Sequence, residues 1–191
     1  IITAILAIDA DIYGLIEIEN DGDDALSAIQ DLVNGLNDAA GAGAFALVAD
    51  PAFIGTDEIK QAFIYKPARV TPLGSSDSST DTVFSRPPVA QTFQDNASGE
   101  TFTTVVNHFK SKGSCPADAT DPNADQGDGQ GCWNLLRVQQ AQALLVYMEE
   151  LITASGDPDV LVIGDLNSYG VEDPILTLLA GGLTDELAKH V

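Results

Sequence analysis

Polar residues at the end of a predicted strand are the first indication of chemistry in this sequence. Residues 160–163 are apolar and mostly β-branched, which predicts a strand buried on both faces, and Asp165 and Asn167 follow it two positions apart. On an extended segment such side chains point to the same side. The pattern therefore predicts a carboxylate and an amide presented together to a cation, or to the phosphate that it carries. A turn that only closes the strand is the alternative.

A histidine and two lysines form a second polar group at the end of another predicted strand. His108 is one of 2 histidines in the chain, and Lys110 and Lys112 belong to its 8 basic residues. In a chain with 29 acidic residues, local positive charge indicates a phosphate site, so we expect both lysines to bind substrate. A packed or exposed histidine without a catalytic role is the alternative for His108.

Glu17 and Arg86 are the remaining candidates. Glu17 interrupts an apolar strand near its end, where a carboxylate is unfavourable unless it is paired or bound to a metal ion; a strand that emerges into solvent is the alternative. Arg86 precedes two prolines, which fix the backbone and thereby aim their neighbours. An arginine held in this way can bind a phosphate through two parallel hydrogen bonds, although an ion pair with a nearby acid is the alternative.

The segments that must position these groups are predicted strands separated by helices. The strands cover residues 11–20, 45–48, 59–65, 89–93, 101–106 and 160–163, and the helices cover residues 25–36, 133–154 and 173–179, after a helix that opens the chain. Residues 73–82 are rich in serine, aspartate and glycine, which predicts a loop. The chain of 191 residues is most simply one domain.

The net charge of −21 limits the classes of partner. A passive nucleic-acid binder needs a basic face to displace the counterions of the phosphate backbone, so that class is disfavoured. If the substrate is a phosphodiester, divalent cations must supply much of the attraction. No apolar run approaches the roughly 20 residues that cross a bilayer, so we expect no membrane insertion. Nothing in the sequence indicates an oligomer.

Cys115 and Cys132 enclose a loop rich in aspartate, glycine and proline. Core contacts could not hold such a loop, which favours a disulfide bond and an oxidising location, extracellular or periplasmic. In a reducing compartment the two residues would be ordinary thiols. A disulfide that closes a loop of this length contributes about 3 kcal/mol to stability.

The same loop carries oxygen ligands of the kind that bind calcium, namely Asp118, Asp121, Asn123, Asp125 and Asp128. Its Asp-x-Asn-x-Asp core resembles an EF-hand, but the glycine comes one residue late, and Cys132 stands where an EF-hand has glutamate. A solvated acidic loop and a structural Ca²⁺ site therefore both remain open.

Several motifs, in their order along the chain, resemble the endonuclease/exonuclease/phosphatase family, the DNase I-like fold. They are Asp-Ile-x-Gly-Leu-x-Glu at 11–17, the strand that ends in His108, and Gly-Asp-Leu-Asn at 164–167. More narrowly, Glu-Ile-Glu-Asn at 17–20, Asn-His-Phe-Lys-Ser-Lys-Gly at 107–113 and Gly-Asp-Gly-Gln-Gly-Cys-Trp-Asn at 127–134 resemble the bacterial secreted extracellular-nuclease branch. The resemblance covers essentially the whole chain.

That resemblance implies an α/β protein, a four-layer α/β/β/α sandwich in which two mixed sheets pack face to face with helices outside. Residues 1–191 would form a single domain that is truncated at both ends, because the family's first strand, with an active-site asparagine, would precede Ile1. The family's C-terminal Asp-His pair, which supplies the catalytic base, has no match. His190 follows Lys189 rather than an aspartate, so we do not assign it that role.

The resemblance also implies roles for single residues. Glu17 would ligate Mg²⁺ or Mn²⁺. His108 would contact the scissile phosphate, either as the general acid for the leaving oxygen or as a stabiliser of the developing charge. Asp165 would orient the attacking water or bind metal, Asn167 would hold a phosphate oxygen, and Arg86 would support phosphate binding.

The implied function is that of a secreted, metal-dependent phosphodiesterase that hydrolyses DNA by attack of water on a metal-bound phosphodiester. The complete protein would be the enzyme, and this chain alone, with an incomplete site, would have little or no activity. A phosphatase or lipid phosphodiesterase of the same fold is one alternative. A non-catalytic secreted module that uses its acidic surface for calcium binding or adhesion is another.

Overall fold

The computed structural model describes residues 1–189, and each predicted helix and strand has a counterpart in it. The strands are β1 (Ile12–Glu19), β2 (Ala46–Leu47), β3 (Ile59–Tyr65), β4 (Val70–Ser78), β5 (Val89–Asp95), β6 (Thr101–His108) and β7 (Val160–Asp165). The helices are α1 (Ile2–Ile8), α2 (Ala28–Ala40), α3 (Asn134–Ser155) and α4 (Asp173–Ala180).

The strands form two sheets. One has the order β4-β5-β6-β7 and is mixed, since β6 and β7 are parallel whereas the other neighbours are antiparallel. The other has the order β1-β3-β2, and its strand pairs are antiparallel. The parallel pair needs a long crossover, which α3 supplies between β6 and β7.

Alternation of side chains along the strands creates apolar packing on both faces of each sheet. On β3, Ala62 and Ile64 pack in one cluster with α1 and α2, whereas Phe63 and Tyr65 pack between the sheets. The four-stranded sheet follows the same rule: on β6, Val105 packs in the cluster with α3 and α4, and the next residue packs between the sheets. Three apolar interfaces thus separate four layers, and the predicted α/β/β/α sandwich is confirmed.

Residues 70–78 form β4, so the loop predicted for residues 73–82 is wrong over most of its length. This strand lies at an edge of its sheet and pairs with β5 alone, with an irregular register between Leu73 and Asp77. Most of its side chains are at least partly exposed, so serine and aspartate are tolerated there. The composition of an edge strand can therefore imitate that of a loop.

A disulfide bond joins Cys115 to Cys132 and closes the loop that precedes α3. The loop is also attached to the start of α3, because the backbone N–H of Trp133 donates to the Asn123 carbonyl oxygen over 2.7 Å and that of Leu136 donates to the Asn123 side chain over 3.0 Å. Of the helices in the described part of the chain, none is both long and apolar enough to span a membrane.

Candidate active site

The ends of β6 and β7 place His108 beside Asp165. These strands are parallel, and their register pairs Asn107 with Gly164 and His108 with Asp165. Gly164 has a φ of 120°, and a side chain there would lie 2.1 Å from the Asn107 carbonyl oxygen. Glycine is needed because the two backbones approach so closely, and this approach brings His108 and Asp165 together.

Glu17 reaches the same place from the other sheet because β1 contains a bulge. The register of β1 against β3 shifts between Leu15 and Ile18, so two residues of β1 lie opposite one residue of β3. Glu17 lies in the bulge with a φ of 59°, a left-handed conformation that is unfavourable for residues other than glycine. Its side chain is 67% exposed, and its Oε1 lies 4.0 Å from His108 Nε2. The bulge thus brings a carboxylate of one sheet to an imidazole of the other.

Asp165 and Asn167 lie together, but not through the extended geometry that the sequence suggested. Strand β7 ends at Asp165, and Asn167 has a φ of 48°, so alternation along a strand does not apply to this pair and that prediction is wrong. Instead, Asp165 Oδ1 accepts a hydrogen bond from the Asn167 backbone over 2.7 Å, which forms a turn. The Asn167 side chain donates to the Phe109 carbonyl oxygen over 3.0 Å. The turn that the alternative held is therefore present, and the Asn167 side chain is bonded to the backbone that follows β6.

Arg86 lies against the same strand ends. Its Nη2 donates to the Phe109 carbonyl oxygen over 3.2 Å, and its Nη1 lies 3.3 Å from Asp57 Oδ2 in an ion pair. The Phe109 oxygen thus accepts from Arg86 and from Asn167 together. Arg86 pairs with an acid, as one alternative held, and it also lies close to the other candidates, as the phosphate-binding alternative requires.

Burial and the neighbouring charges shift the pKa of His108 in opposite directions. Burial lowers the pKa of His108, and the positive charge of Arg86 lowers it further, whereas the carboxylates of Asp165, Glu17 and Asp57 favour the protonated form. Burial and Arg86 outweigh the carboxylates, so the pKa lies below its ordinary value of 6.5.

Several buried polar atoms lie unpaired in this region. Within residues 1–189, His108 Nδ1, Asn107 Oδ1 and Arg86 Nε have no hydrogen-bond partner. Buried polar groups are usually paired, because an unpaired one is unfavourable by roughly 1–3 kcal/mol. Unpaired donors and acceptors beside two carboxylates are the groups that a site for a polar ligand requires.

The structure places the two lysines against aromatic rings. Lys110 Nζ lies 4.9 Å from the centre of the Trp133 ring, and Lys112 Nζ lies 4.7 Å from the centre of the Tyr169 ring. Lys112 also forms an ion pair with Glu172, which is buried. The carboxylate neutralises much of the local positive charge on which the prediction for Lys112 depended.

A divalent cation fits the donor chemistry around Glu17, although the described residues do not enclose one. Residues 1–189 contain no group of three or more His, Cys, Asp or Glu side chains arranged to hold a metal ion. Mg²⁺ is commonly held by one or two carboxylates, with substrate phosphates and water completing its shell. Glu17 and Asp165 are exposed carboxylates near His108 and suit that kind of site.

The acidic loop uses its carboxylates within its own turns. Asp118, Asp121, Asp125 and Asp128 each accept a hydrogen bond from the backbone N–H two residues further on, over 2.8 to 3.0 Å. Asn123 is occupied by the start of α3. The loop therefore has ordered turns, and among the described residues no three of its His, Cys, Asp or Glu side chains are grouped as metal ligands.

Two residues at the site were not singled out from the sequence. Asp57 pairs with Arg86, and Gln61 donates to the Arg86 carbonyl oxygen over 3.2 Å. Asp57 precedes a predicted strand, but it is one of many acids, and no spacing marks it. His190, which is not assigned as the catalytic base, lies outside the described residues.

No protein-family model matches the sequence, and a search of curated proteins finds no match. Solved structures match it in fold. The catalytic domain of human Nocturnin, with a bound sulfate anion, is 18% identical over 91% of this chain and 57% of that chain, with a TM-score of 0.63. An endonuclease/exonuclease/phosphatase family protein from Bacteroides thetaiotaomicron is 13% identical over 95% and 58% of the two chains, with a TM-score of 0.61. D. rerio TDP2, complexed with a single strand DNA product, is 16% identical over 95% and 56%, with a TM-score of 0.53.

These similarities establish the class of fold. The two packed sheets with outer helices form the DNase I-like fold, which the chain shares with endonuclease/exonuclease/phosphatase structures. The chain spans less than two thirds of the length of each of these three structures.

Proposed function

We propose that the protein containing these 191 residues is a secreted, divalent-metal-dependent phosphodiesterase that hydrolyses DNA. The observation that carries the proposal is the convergence of Glu17, His108 and Asp165, from three strands of two sheets, with the imidazole 4.0 Å from the Glu17 carboxylate. Groups that transfer protons and stabilise developing charge are the requirements for hydrolysis of a phosphate ester by water.

Each side chain of the cluster has a role in the proposed reaction. Asp165 orients the attacking water or contributes to metal binding, and His108 contacts the scissile phosphate as the general acid or as a donor to the developing charge. Asn167 holds a phosphate oxygen, and Arg86 supplies a guanidinium for the same group. Glu17 would hold Mg²⁺ or Mn²⁺, which when bound neutralises phosphate charge and polarises the ester.

The two lysines belong to the proposal as contacts for substrate. Lys110 is free of an ion pair among the described residues, whereas a phosphate would compete with Glu172 for Lys112. We therefore expect Lys110 to contribute more than Lys112.

Three observations support DNA as the substrate and a secreted location. TDP2, which has the same fold, is complexed with a single strand DNA product. The net charge of −21 means that DNA needs a cation to approach, which agrees with the proposed metal dependence. The disulfide between Cys115 and Cys132 favours an oxidising compartment.

The test compares DNA with other phosphate esters, using the longest natural form of the protein. Nicking of supercoiled plasmid is measured with Mg²⁺ or Mn²⁺ and with EDTA, beside hydrolysis of inositol phosphates and sphingomyelin. Asp165→Ala is the variant, and Asp125→Ala, in the acidic loop, is the matched control. We expect DNA cleavage that requires the metal, is lost in Asp165→Ala and is retained in Asp125→Ala.

Three results would contradict the proposal. Cleavage unchanged by Asp165→Ala would remove the mechanism and favour a site elsewhere. Hydrolysis of inositol phosphates or sphingomyelin without cleavage of DNA would retain the site but identify a phosphatase or lipid phosphodiesterase. Absence of any hydrolysis by the complete protein would favour the non-catalytic module.

A further inference from the structure

The Arg86 guanidinium is fixed at two points and still has donors to offer. Nη1 lies 3.3 Å from Asp57 Oδ2, and Nη2 donates to the Phe109 carbonyl oxygen over 3.2 Å. A guanidinium has more N–H groups than these two acceptors use, and Nε has no partner among the described residues. The two contacts set the plane of the group, and the second N–H of each Nη nitrogen is left to bind an anion.

The Asp57 carboxylate is itself held on both oxygens. Oδ1 accepts from the Ile59 backbone over 3.3 Å, while Oδ2 faces Arg86. The Asp57 carbonyl oxygen accepts from the Asn20 side chain over 2.8 Å, and the Asn20 backbone donates to Glu58 over 2.9 Å. Asp57 is therefore attached both to the start of β3 and to the residue that follows β1, the strand with the bulge.

Partial burial makes this pair stronger than an ordinary surface ion pair. The side chains of Arg86 and Asp57 are 13% and 28% exposed. Water screens such a pair less than an exposed one, and a guanidinium left there without its carboxylate would be poorly solvated. Removal of the Asp57 charge should therefore release Arg86 from its present orientation.

We infer that Asp57 is a positioning residue, which holds the Arg86 guanidinium in the orientation that receives the substrate phosphate. The inference rests on the proposed function, in which Arg86 binds phosphate. Asp57 acts through Arg86 and does not itself touch the substrate. Asp57 links the sheet that carries Glu17 to the guanidinium beside the His108 strand. It thereby fixes the position of Arg86 relative to Glu17 and His108.

The chain offers a matched control for the loss of one carboxylate from an ion pair. Asp9 pairs with Lys66 at the surface, where the Asp9 side chain is 81% exposed. Asp9→Asn makes the same chemical change as Asp57→Asn at a pair that is not next to Arg86. Both substitutions keep the size of the side chain and remove its negative charge.

The experiment measures binding of inorganic phosphate to the longest natural form of the protein by NMR, through the backbone amide signals of Phe109 and Lys110, which lie beside the Arg86 contact and are present in every variant. The variants are Asp57→Asn, Arg86→Gln, the double variant and Asp9→Asn. We expect Asp57→Asn to weaken phosphate binding about tenfold, which is the usual size of one hydrogen bond to a charged group. In the Arg86→Gln background Asp57→Asn should weaken binding no further, and Asp9→Asn should leave binding unchanged. Asp57→Glu, which keeps the charge, should recover part of the affinity.

The outcomes separate this inference from the proposed function. If Arg86→Gln weakens binding and Asp57→Asn does not, or if the two effects are additive, the inference about Asp57 is wrong and the role of Arg86 stands. If Arg86→Gln binds phosphate as the parent chain does, the role of Arg86 is wrong and the inference falls with it. A second readout needs no ligand: hydrogen exchange of the Arg86 Nη–H groups should accelerate in Asp57→Asn, and unchanged exchange would overturn the inference.

Discussion

Two acidic regions of this protein share a local structure and differ in their surroundings. At the end of β7, Asp165 Oδ1 accepts from the backbone N–H two residues on, over 2.7 Å. In the disulfide-closed loop, Asp121 and Asp125 accept in the same way, over 2.8 and 2.9 Å. The turn is the same in both regions, so the turn is not what distinguishes a candidate active site.

The difference lies in the neighbouring strands. Asp165 ends a strand that pairs with β6, so His108 lies beside it, and Glu17 approaches His108 from the other sheet. The loop carboxylates bond to backbone and side-chain groups of their own loop. An acid becomes part of a site when the fold brings unlike groups to it, and an acidic composition alone does not achieve that.

The largest expected effect is on catalytic activity, which should depend on His108 and not on the disulfide-closed loop. In the complete protein, His108→Gln should lower the initial rate of DNA hydrolysis by about 10²–10⁴-fold, because it removes a group that transfers a proton or stabilises charge. Asp125→Asn should change that rate by less than about twofold, since Asp125 bonds only within the loop. Circular dichroism checks that both variants are folded. Equal losses in the two variants would remove the distinction.

For stability we expect the opposite order, because the disulfide-closed loop should contribute more to the free energy of unfolding than the Asp165 side chain does. Replacement of Cys115 and Cys132 together by serine should lower the free energy of unfolding by about 3 kcal/mol, since the unfolded chain regains the freedom of an open loop. Asp165→Asn should lower it by less than about 1 kcal/mol, as expected for an exposed side chain. Urea unfolding without reductant, so that the parent keeps its disulfide bond, provides the measurement. A double serine variant as stable as the parent would show that the loop is held by its turns alone.

Cation binding tests the same comparison without any enzymatic readout. Glu17→Gln should weaken Mn²⁺ binding to the 191-residue chain about tenfold or more, because an oxygen ligand loses its charge. Asp121→Asn should leave the affinity unchanged. Electron paramagnetic resonance of free Mn²⁺ reports the affinity in each case. The opposite result would place the cation in the disulfide-closed loop.

The smallest effect is expected in the dependence of stability on pH. Because burial holds the pKa of His108 below 6.5, the unfolded chain binds the proton first as the pH falls. The free energy of unfolding of the metal-free chain should therefore decrease below about pH 6.5, until the folded form is protonated as well. Hydrogen bonds from Thr120 lower the pKa of Asp118 below 3.8, so its contribution is present above that pH and is lost as the pH falls further.

Urea unfolding at about pH 7.5 and pH 5.5 checks this difference between the two regions. His108→Gln should flatten the change between these two pH values, whereas Asp118→Asn should not alter it. An unchanged slope in His108→Gln would mean that the folded environment does not disfavour the imidazolium.

The sequence was informative where a regular element ends. The apolar run before Asp165 predicted β7, and a strand was predicted for residues 101–106, two residues short of the end of β6 at His108. That the two strand ends meet was implied by the family resemblance, and the register of β6 and β7 brings them together. Gly164 lies at a close approach of two strands, where the Asn107 backbone is its neighbour. The layers of the fold follow from these patterns because burial imposes a period on the side chains.

The remaining features depend on contacts that no local pattern encodes. The bulge at Glu17 arises from the register of β1 against β3, and nothing in the flanking residues marks a left-handed glutamate. The partner of Lys112 lies 60 residues along the chain, so its ion pair with Glu172 could not be anticipated from neighbouring residues. Asp57 was overlooked for the same reason, since its role depends on Arg86.

The left-handed backbone at Glu17 carries a consequence for engineering. Glycine adopts that conformation without the strain of about 1–3 kcal/mol that another residue has there, and this exceeds the roughly 0.5–1 kcal/mol of additional backbone entropy that glycine loses on folding. Glu17→Gly should therefore resist heat better than the parent chain while lacking the carboxylate. A laboratory screen that rewards thermal resistance alone would select glycine at this position and discard the group the reaction is proposed to need. Stabilising substitutions are better made at other positions, with Glu17 left unchanged.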